Sequence, residues 1–313
     1  MPCLTSSAST RRAGPSFGDV VFCADPQLHR SYLYAPGASP RVMSKALAAG
    51  ADAVILDLED SVATDAKDAA RREVAAVLER WTAEAPADGG PDVHVRINRS
   101  GDGYLDLDLD AVVRPGLAAL RLPKAETPEA VVAVDQQLEA LEADRGLAAG
   151  TVRLYLTIES ALGAVALAEL ATASPRIVRF AIGATDLLAD LGASGDDHLA
   201  TLHVRSELVL RSRAARLQPP IDSVHTLFDD PVGLRDGAER ARALGFYGKS
   251  VIHPRQLAIV HDVFTPTAAE RERAQRIVAA LEEAERAGEA AISVDGTFVD
   301  PAVAARARAI LSL

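Results

Sequence analysis

Residues 151–186 read TVRLYLTIESALGAVALAELATASPRIVRFAIGATD, and this stretch decides the fold. Its first apolar, β-rich run, Arg153–Ile158, is too short for a helix and stops at Glu159-Ser160. An Ala/Leu-rich amphipathic run, Ala161–Thr172, follows, and then a second short apolar run, Ile177–Ile182, leads through Gly183-Ala184-Thr185 to Asp186. Strand, helix, strand within so few residues is a βαβ unit, in which the crossover helix makes the two strands parallel.

The same alternation extends in both directions. Further strands are predicted at Ser31–Ala35, Ala53–Leu58, Val93–Ile97, Ala118–Leu122, Ile221–Val224 and Gly248–Ile252. Helices are predicted at Pro40–Ala49, Ala66–Trp81, Pro128–Ala143, Ala200–Leu217, Gly233–Leu244 and Pro254–Val260. Eight strand–helix units suit a closed α/β barrel of the (β/α)8 TIM type better than a Rossmann-like open sheet. No G-x-G-x-x-G follows a strand, and Gly248-Lys249-Ser250 lacks the earlier glycine of a P-loop because position 243 is Ala.

Residues 1–25 are rich in Ser, Thr, Arg and Pro and read as a disordered tail, which leaves 26–265 for the barrel. From 266 to 313 a charged helix (Thr267 to Ala287), a short segment (Ile292–Phe298) and a last helix opening at Asp300-Pro301 form a helical extension, read as a lid or an oligomer contact.

Of the 313 residues, 49% are hydrophobic and 25% charged, enough apolar material for a large core. The formal charge of -11 disfavours nucleic acid and anionic membranes, although a few Arg and Lys inside a cleft could still hold an anionic small molecule. Cys3 and Cys23 both precede the first strand, where a disulfide would staple only a tail. With no run of 18 apolar residues and no signal core, the expected location is cytoplasmic.

In a barrel, polar groups at the carboxyl ends of strands converge on one face. There the second strand ends Asp57-Leu58-Glu59-Asp60, with Asp57 and Glu59 on the same side by the period of two. The third strand places Arg96 at the mouth, able to hold a carboxylate or an enolate oxygen, or simply to neutralise those acids. Glu159 and Asp186 end adjacent strands and together could satisfy Mg2+, which keeps several waters; alternatively, each starts a helix. After the first strand, Pro36-Gly37-Ala38-Ser39-Pro40 with Arg41 and Lys45 could receive phosphate at a helix N-terminus, or be a Ser cap with Pro at the first position. Lys124 and His253-Pro254 complete the ring, and Asp300 reads either as a helix cap or as a lid acid.

Taken in order, Arg30-Ser31 with Pro36-Gly37, Ala51 to Val62 (ADAVILDLEDSV), Arg96-Ile97-Asn98, Leu122 to Glu126 (LPKAE), Ile158-Glu159-Ser160-Ala161, Gly183 to Leu187 and Ile252-His253-Pro254 resemble the HpcH/HpaI aldolase and citrate lyase β-subunit superfamily, over about Arg30 to Leu311. The likeness is strongest to its malyl-CoA and citramalyl-CoA lyase branch. The resemblance implies a TIM barrel forming homotrimers or hexamers, with Mg2+ as cofactor on Glu159 and Asp186. It implies catalytic roles for Arg96, Glu59 and Asp60, and for Asp300 as a lid acid serving a neighbouring subunit. It further assigns substrate and coenzyme A binding to Arg30, Pro36, Gly37, Arg41, Lys45, Lys124, His253 and Pro254. The implied reaction is reversible carbon–carbon cleavage of a 3-hydroxyacyl-CoA such as malyl-, citramalyl- or β-methylmalyl-CoA, releasing an acyl-CoA and a small 2-oxo acid, glyoxylate or pyruvate. Citryl-CoA lyase, a metal-dependent aldolase acting on free hydroxy-oxo acids, and a non-catalytic thioester-binding subunit are the alternatives. One departure stands out: Gly183-Ala184-Thr185-Asp186 replaces the usual Gly-x-Glu-Asp, so an acid beside the metal is missing. The departure bears on oxo-acid specificity more than on the metal.

Overall fold

The computed structural model describes residues 28–84, 89–194, 197–287 and 292–313. The tail expected at 1–25, with Cys3 and Cys23, lies outside them. The chain divides into two units, the first ending at Thr265 and the second beginning at Pro266.

In the first unit, β1 (Ser31–Pro36), β2 (Ala53–Asp57), β3 (Asp92–Arg96), β4 (Ala119–Leu122), β5 (Arg153–Ile158), β6 (Ile177–Ile182) and β7 (Lys249–Val251) form one parallel sheet in the order β6-β5-β4-β3-β2-β1-β7. The sheet curls into a TIM-barrel-like wall with helices outside. Long helices α1 (Pro40–Leu47), α2 (Lys67–Glu84), α3 (Leu105–Val112) and α4 (Pro128–Asp144) follow the first four strands. After β5 come two short helices, α5 (Ala161–Val165) and α6 (Leu167–Leu170), where one was expected. Beyond β6 lie α7 (Ala184–Asp190), α8 (Asp197–Ala214) and α9 (Pro231–Leu244), and β7 leads into α10 (Leu257–Phe264).

The strand expected at Ile221–Val224 is not formed. Only two parallel bridges remain there, Ala181 with Ile221 and Asp222 with Lys249, and they continue the pairing from β6 to β7. Pro219 and Pro220 have no N–H to donate, so a longer stave cannot start before Ile221. Helix α3 was not foreseen because its sequence, LDLDLDAV, alternates with the period of a strand. Asp108 is nonetheless pulled fully inside, where it accepts hydrogen bonds from Asn98 and Arg71.

The period of two separates two cores. Outward residues such as Leu33, Val54, Leu56, Val95, Leu120, Leu154 and Leu156 pack against the helices. Inward residues Tyr32, Ile55, Ala119, Tyr155 and Ala181 fill the barrel, joined there by the fully buried His94, Arg121 and Arg179. Arg179 is satisfied by the Pro219 and His29 carbonyls, the Tyr247 carbonyl and the Tyr32 hydroxyl.

The second unit consists of α11 (Ala268–Ala287), an antiparallel hairpin of β8 (Ile292–Val294) and β9 (Thr297–Val299), and α12 (Pro301–Leu311). The hairpin turns on Asp295 and Gly296, both at positive φ, as a two-residue turn demands. Ala274, Ile277, Leu281, Val299, Ala304 and Ala307 form its own small apolar core.

Candidate functional site

Parallel strands deliver their carboxyl ends to one rim, and a cleft of about 430 Å3 opens there. Tyr34 and Pro36 from β1, Asp57 from β2, Arg96 from β3, Thr157 and Glu159 at the end of β5, Gly183, Thr185 and Asp186 after β6, and Ser250 from β7 line it.

On the β2–β3 side Asp57 and Arg96 match each other's charge. Arg96 grips Asp57 with two hydrogen bonds, Nε to Oδ1 at 2.6 Å and Nη2 to Oδ2 at 2.8 Å. Its Nη1 lies 2.8 Å from Glu59 Oε2 and 3.5 Å from Asp60 Oδ2, and the guanidinium stacks over the Tyr34 ring at 5.2 Å. Burial pushes the Asp57 carboxyl up, but the paired Arg96 outweighs it and holds the group below the usual carboxylate range. The backbone N–H groups of Glu59 and Ser61 also donate to Asp57, so the strand end is tied into a turn. Lys67 Nζ braces it from below, donating to the carbonyls of Leu58 and Glu59 and to Asn98 Oδ1, each at 2.7 Å.

The β5–β6 side is not matched. Glu159 is buried, and burial, then the charges of Glu59 and Asp186, push its carboxyl up to about 7. Lys124 moderates this: its backbone N–H donates to Glu159 Oε1 at 2.7 Å and its Nζ to Glu59 Oε1 at 2.9 Å. To make both bonds Lys124 adopts φ of 46°, a left-handed conformation costing roughly 1 kcal/mol in a non-Gly residue. Gly183 is necessary here, since a Cβ on it would collide with the Glu159 carboxylate. Neither acid serves as a helix cap: Ser160 caps α5 by accepting from Gly163 N, and Asp186 sits in the first turn of α7, whose Ala184 N–H donates to Ser223 Oγ.

These two oxygen-bearing groups fit a hard divalent cation. Among the described residues no set of three His, Cys, Asp or Glu side chains forms a metal cage. Mg2+ does not need one, because it retains waters and takes remaining oxygens from its substrate. The poorly neutralised acids of the β5–β6 side are the charge such an ion would offset.

Residues 30–254 match the HpcH/HpaI aldolase/citrate lyase family. The chain belongs to that family. Within it, the citrate lyase subunit β of Haemophilus influenzae is 34% identical over 286 residues, covering 91% of this chain and 96% of the relative. A (3S)-malyl-CoA thioesterase of Cereibacter sphaeroides is 37% identical over 275 residues, covering 87% and 89%. Among solved structures, Mycobacterium tuberculosis CitE in complex with magnesium, acetoacetate and coenzyme A superposes with a TM-score of 0.72 at 32% identity, over 90% of this chain and 96% of that one.

Not every residue assigned from the HpcH/HpaI resemblance reaches the cleft. Arg30 precedes β1, so it sits at the amino ends of the strands, where it makes a two-pronged pair with Asp52 and donates to Thr265; it is a brace at the opposite face. Arg41 and Lys45 are exposed on α1. His253 is the N-cap of a short 3-10 turn at Pro254–Gln256, its Nδ1 accepting from Arg255 N. Gly37 lies directly on β2, donating to the Asp57 carbonyl. Asp300 belongs to the second unit and caps α12 by accepting from Val303 N at 2.9 Å. Asp57 was named in the sequence only as an inward acid. Its grip on Arg96 was foreshadowed by their shared inward parity on neighbouring strands.

Proposed function

We propose that this chain is a Mg2+-dependent carbon–carbon lyase that splits a 3-hydroxyacyl-CoA, of the malyl-, citramalyl- or β-methylmalyl-CoA type, into an acyl-CoA and a 2-oxo acid. The observation that carries the reading is the cleft whose rim joins the under-neutralised Glu159 and Asp186 beside it to a fixed Arg96. Glu159 and Asp186 would hold the ion, which when bound supplies Lewis-acid polarisation of the substrate's carboxylate and hydroxyl. Arg96, immobilised by Asp57, has guanidinium N–H groups already oriented for an oxygen that gains charge as the bond breaks. Asp300, as a lid acid from a neighbouring subunit, takes the hydroxyl proton. The carbonyl of the oxo acid then forms, the carbon–carbon electron pair passes to the thioester as an enolate, and protonation of that enolate completes the acyl-CoA. This assignment of Asp300 implies an oligomer with 266–313 as the lid, and the proposed assembly is a homotrimer or hexamer in the cytoplasm.

Citryl-CoA lyase activity has equal support from the citrate lyase β relatives, and the malyl-CoA thioesterase relatives favour hydrolysis as a further step. Calorimetry with Mg2+ and acetyl-CoA, then condensation assays with glyoxylate, pyruvate and oxaloacetate, test the reading. Carbon–carbon bond formation with glyoxylate or pyruvate supports it, and formation with oxaloacetate alone supports the citryl-CoA alternative. Thioester binding without any turnover would sink both.

A further inference from the structure

Three hydrogen-bonding groups beneath and within the cleft have no use in the chemistry above. The Thr157 hydroxyl is buried, lines the cleft floor and has no hydrogen-bond partner among the described residues. The Tyr34 ring lines the same floor, stacked on Arg96, and its hydroxyl makes no hydrogen bond among the described residues. Arg121, one layer down, is 0% exposed, yet among the described residues none of its three side-chain nitrogens has a hydrogen-bond partner. Its guanidinium lies over the rings of Tyr32 at 4.4 Å and Tyr155 at 4.5 Å, which meet edge to face beside it. Ring faces return part of the cost of burying that cation but offer its N–H groups no acceptor. Arg121 is also electrostatically coupled to Tyr34, which in turn feels Arg96, Asp57 and Glu159. In a native interior, orphaned polar groups that line a cleft or lie next to it call for an acceptor that binds there.

We propose that the Tyr34 and Thr157 hydroxyls form an oxyanion subsite on the cleft floor, with Arg121 as the positioning cation beneath it. The inference rests on the lyase reading for the identity of the ligand, and the oxyanion has two possible sources in that reaction. One is the carboxylate of the 2-oxo acid, and the other is the oxygen that becomes negative in the thioester enolate. Both need donors, and a buried positive charge behind the donors strengthens them where water does not screen it.

The test compares Tyr34→Phe, Thr157→Val, Arg121→Met and Arg121→Lys with the parent, using Mg2+-loaded full-length protein. Calorimetry gives Kd for pyruvate and for glyoxylate, and steady-state assays separate kcat from KM. Tyr34→Phe and Thr157→Val are each expected to cost about tenfold or more, the scale of losing one hydrogen bond to a charged group. A loss confined to oxo-acid Kd and KM assigns the subsite to the carboxylate, and a loss confined to kcat assigns it to the enolate oxygen. Arg121→Met should depress the same parameter as Tyr34→Phe by a smaller factor, and Arg121→Lys should restore it; equal loss in both Arg121 variants would remove the positioning role. If Arg121→Met does not fold, the two hydroxyl variants still decide the subsite. Parent-like Kd, kcat and KM in both hydroxyl variants would overturn it. A parent that binds oxo acid but turns nothing over would instead remove the lyase reading, while the binding loss in the variants would leave the subsite standing.

Discussion

The two halves of the cleft treat charge in opposite ways. On the β2–β3 side Asp57 and Arg96 neutralise each other through two hydrogen bonds, and the acid is held below its usual range. On the β5–β6 side Glu159, beside Asp186, has among the described residues a backbone N–H and the more distant Lys124 to help it, and it rises to about 7. The contrast teaches that similar carboxylates at the same barrel rim are finished on one side and incomplete on the other. The finished half is a rigid support; the incomplete half is where a cation is worth most.

The largest effect should come from removing charge on the incomplete side. Glu159→Gln is expected to abolish measurable Mg2+ binding by calorimetry and turnover with it, exceeding the roughly 10–100-fold typical of losing an outer partner of a metal. Unchanged Mg2+ affinity in that variant would break the comparison outright. Next, Arg96→Ala should lower turnover roughly a hundredfold. It should also cost about 3 kcal/mol of stability in denaturant melts, because Asp57 is left buried without its counter-charge. Near-normal kcat there would confine Arg96 to a supporting role. Gly183→Ala keeps both acids but drives a methyl group into the Glu159 carboxylate, so Mg2+ affinity should fall by roughly tenfold, a smaller loss than deleting the charge.

The most conditional effect, growing only as the pH falls, is a pH dependence confined to one half. Glu159 has its folded pKa raised, so its ionisation costs the metal-free protein stability as pH rises from the ordinary carboxylate range through about 7. Mg2+ competes with the proton for the same oxygens, so its affinity should weaken by up to about tenfold per pH unit below about 7, and the thermal shift it produces should shrink in parallel. Asp57, with its pKa lowered, stays ionised throughout that window and adds nothing. A thermal shift from Mg2+ that is flat from pH 8 down to pH 5 would contradict the assignment.

The second unit shows the limit of motif reading. Asp300-Pro301 satisfies every local requirement of a helix start, and in the structure the Asp300 carboxylate does cap α12. His253 behaves likewise, a side chain that the fold uses as a cap.

What the amino-acid order determined by itself was the parallel α/β architecture and the rim membership of Asp57, Arg96, Glu159 and Asp186. Both follow from local rules: a βαβ unit enforces parallel strands, and strand-end residues of one parity share a face. The tertiary structure alone decided that Pro219-Pro220 reduces one stave to two bridges, that LDLDLDAV winds into α3, and that Arg30 braces the far face. It alone also set the division of charge, pairing Arg96 with Asp57 while leaving Arg121 among ring faces and Glu159 short of a counter-ion. The physical reason is that partner choice and desolvation depend on groups brought together from distant strands, and Coulomb energies in a buried site turn on distances that no spacing along the chain encodes.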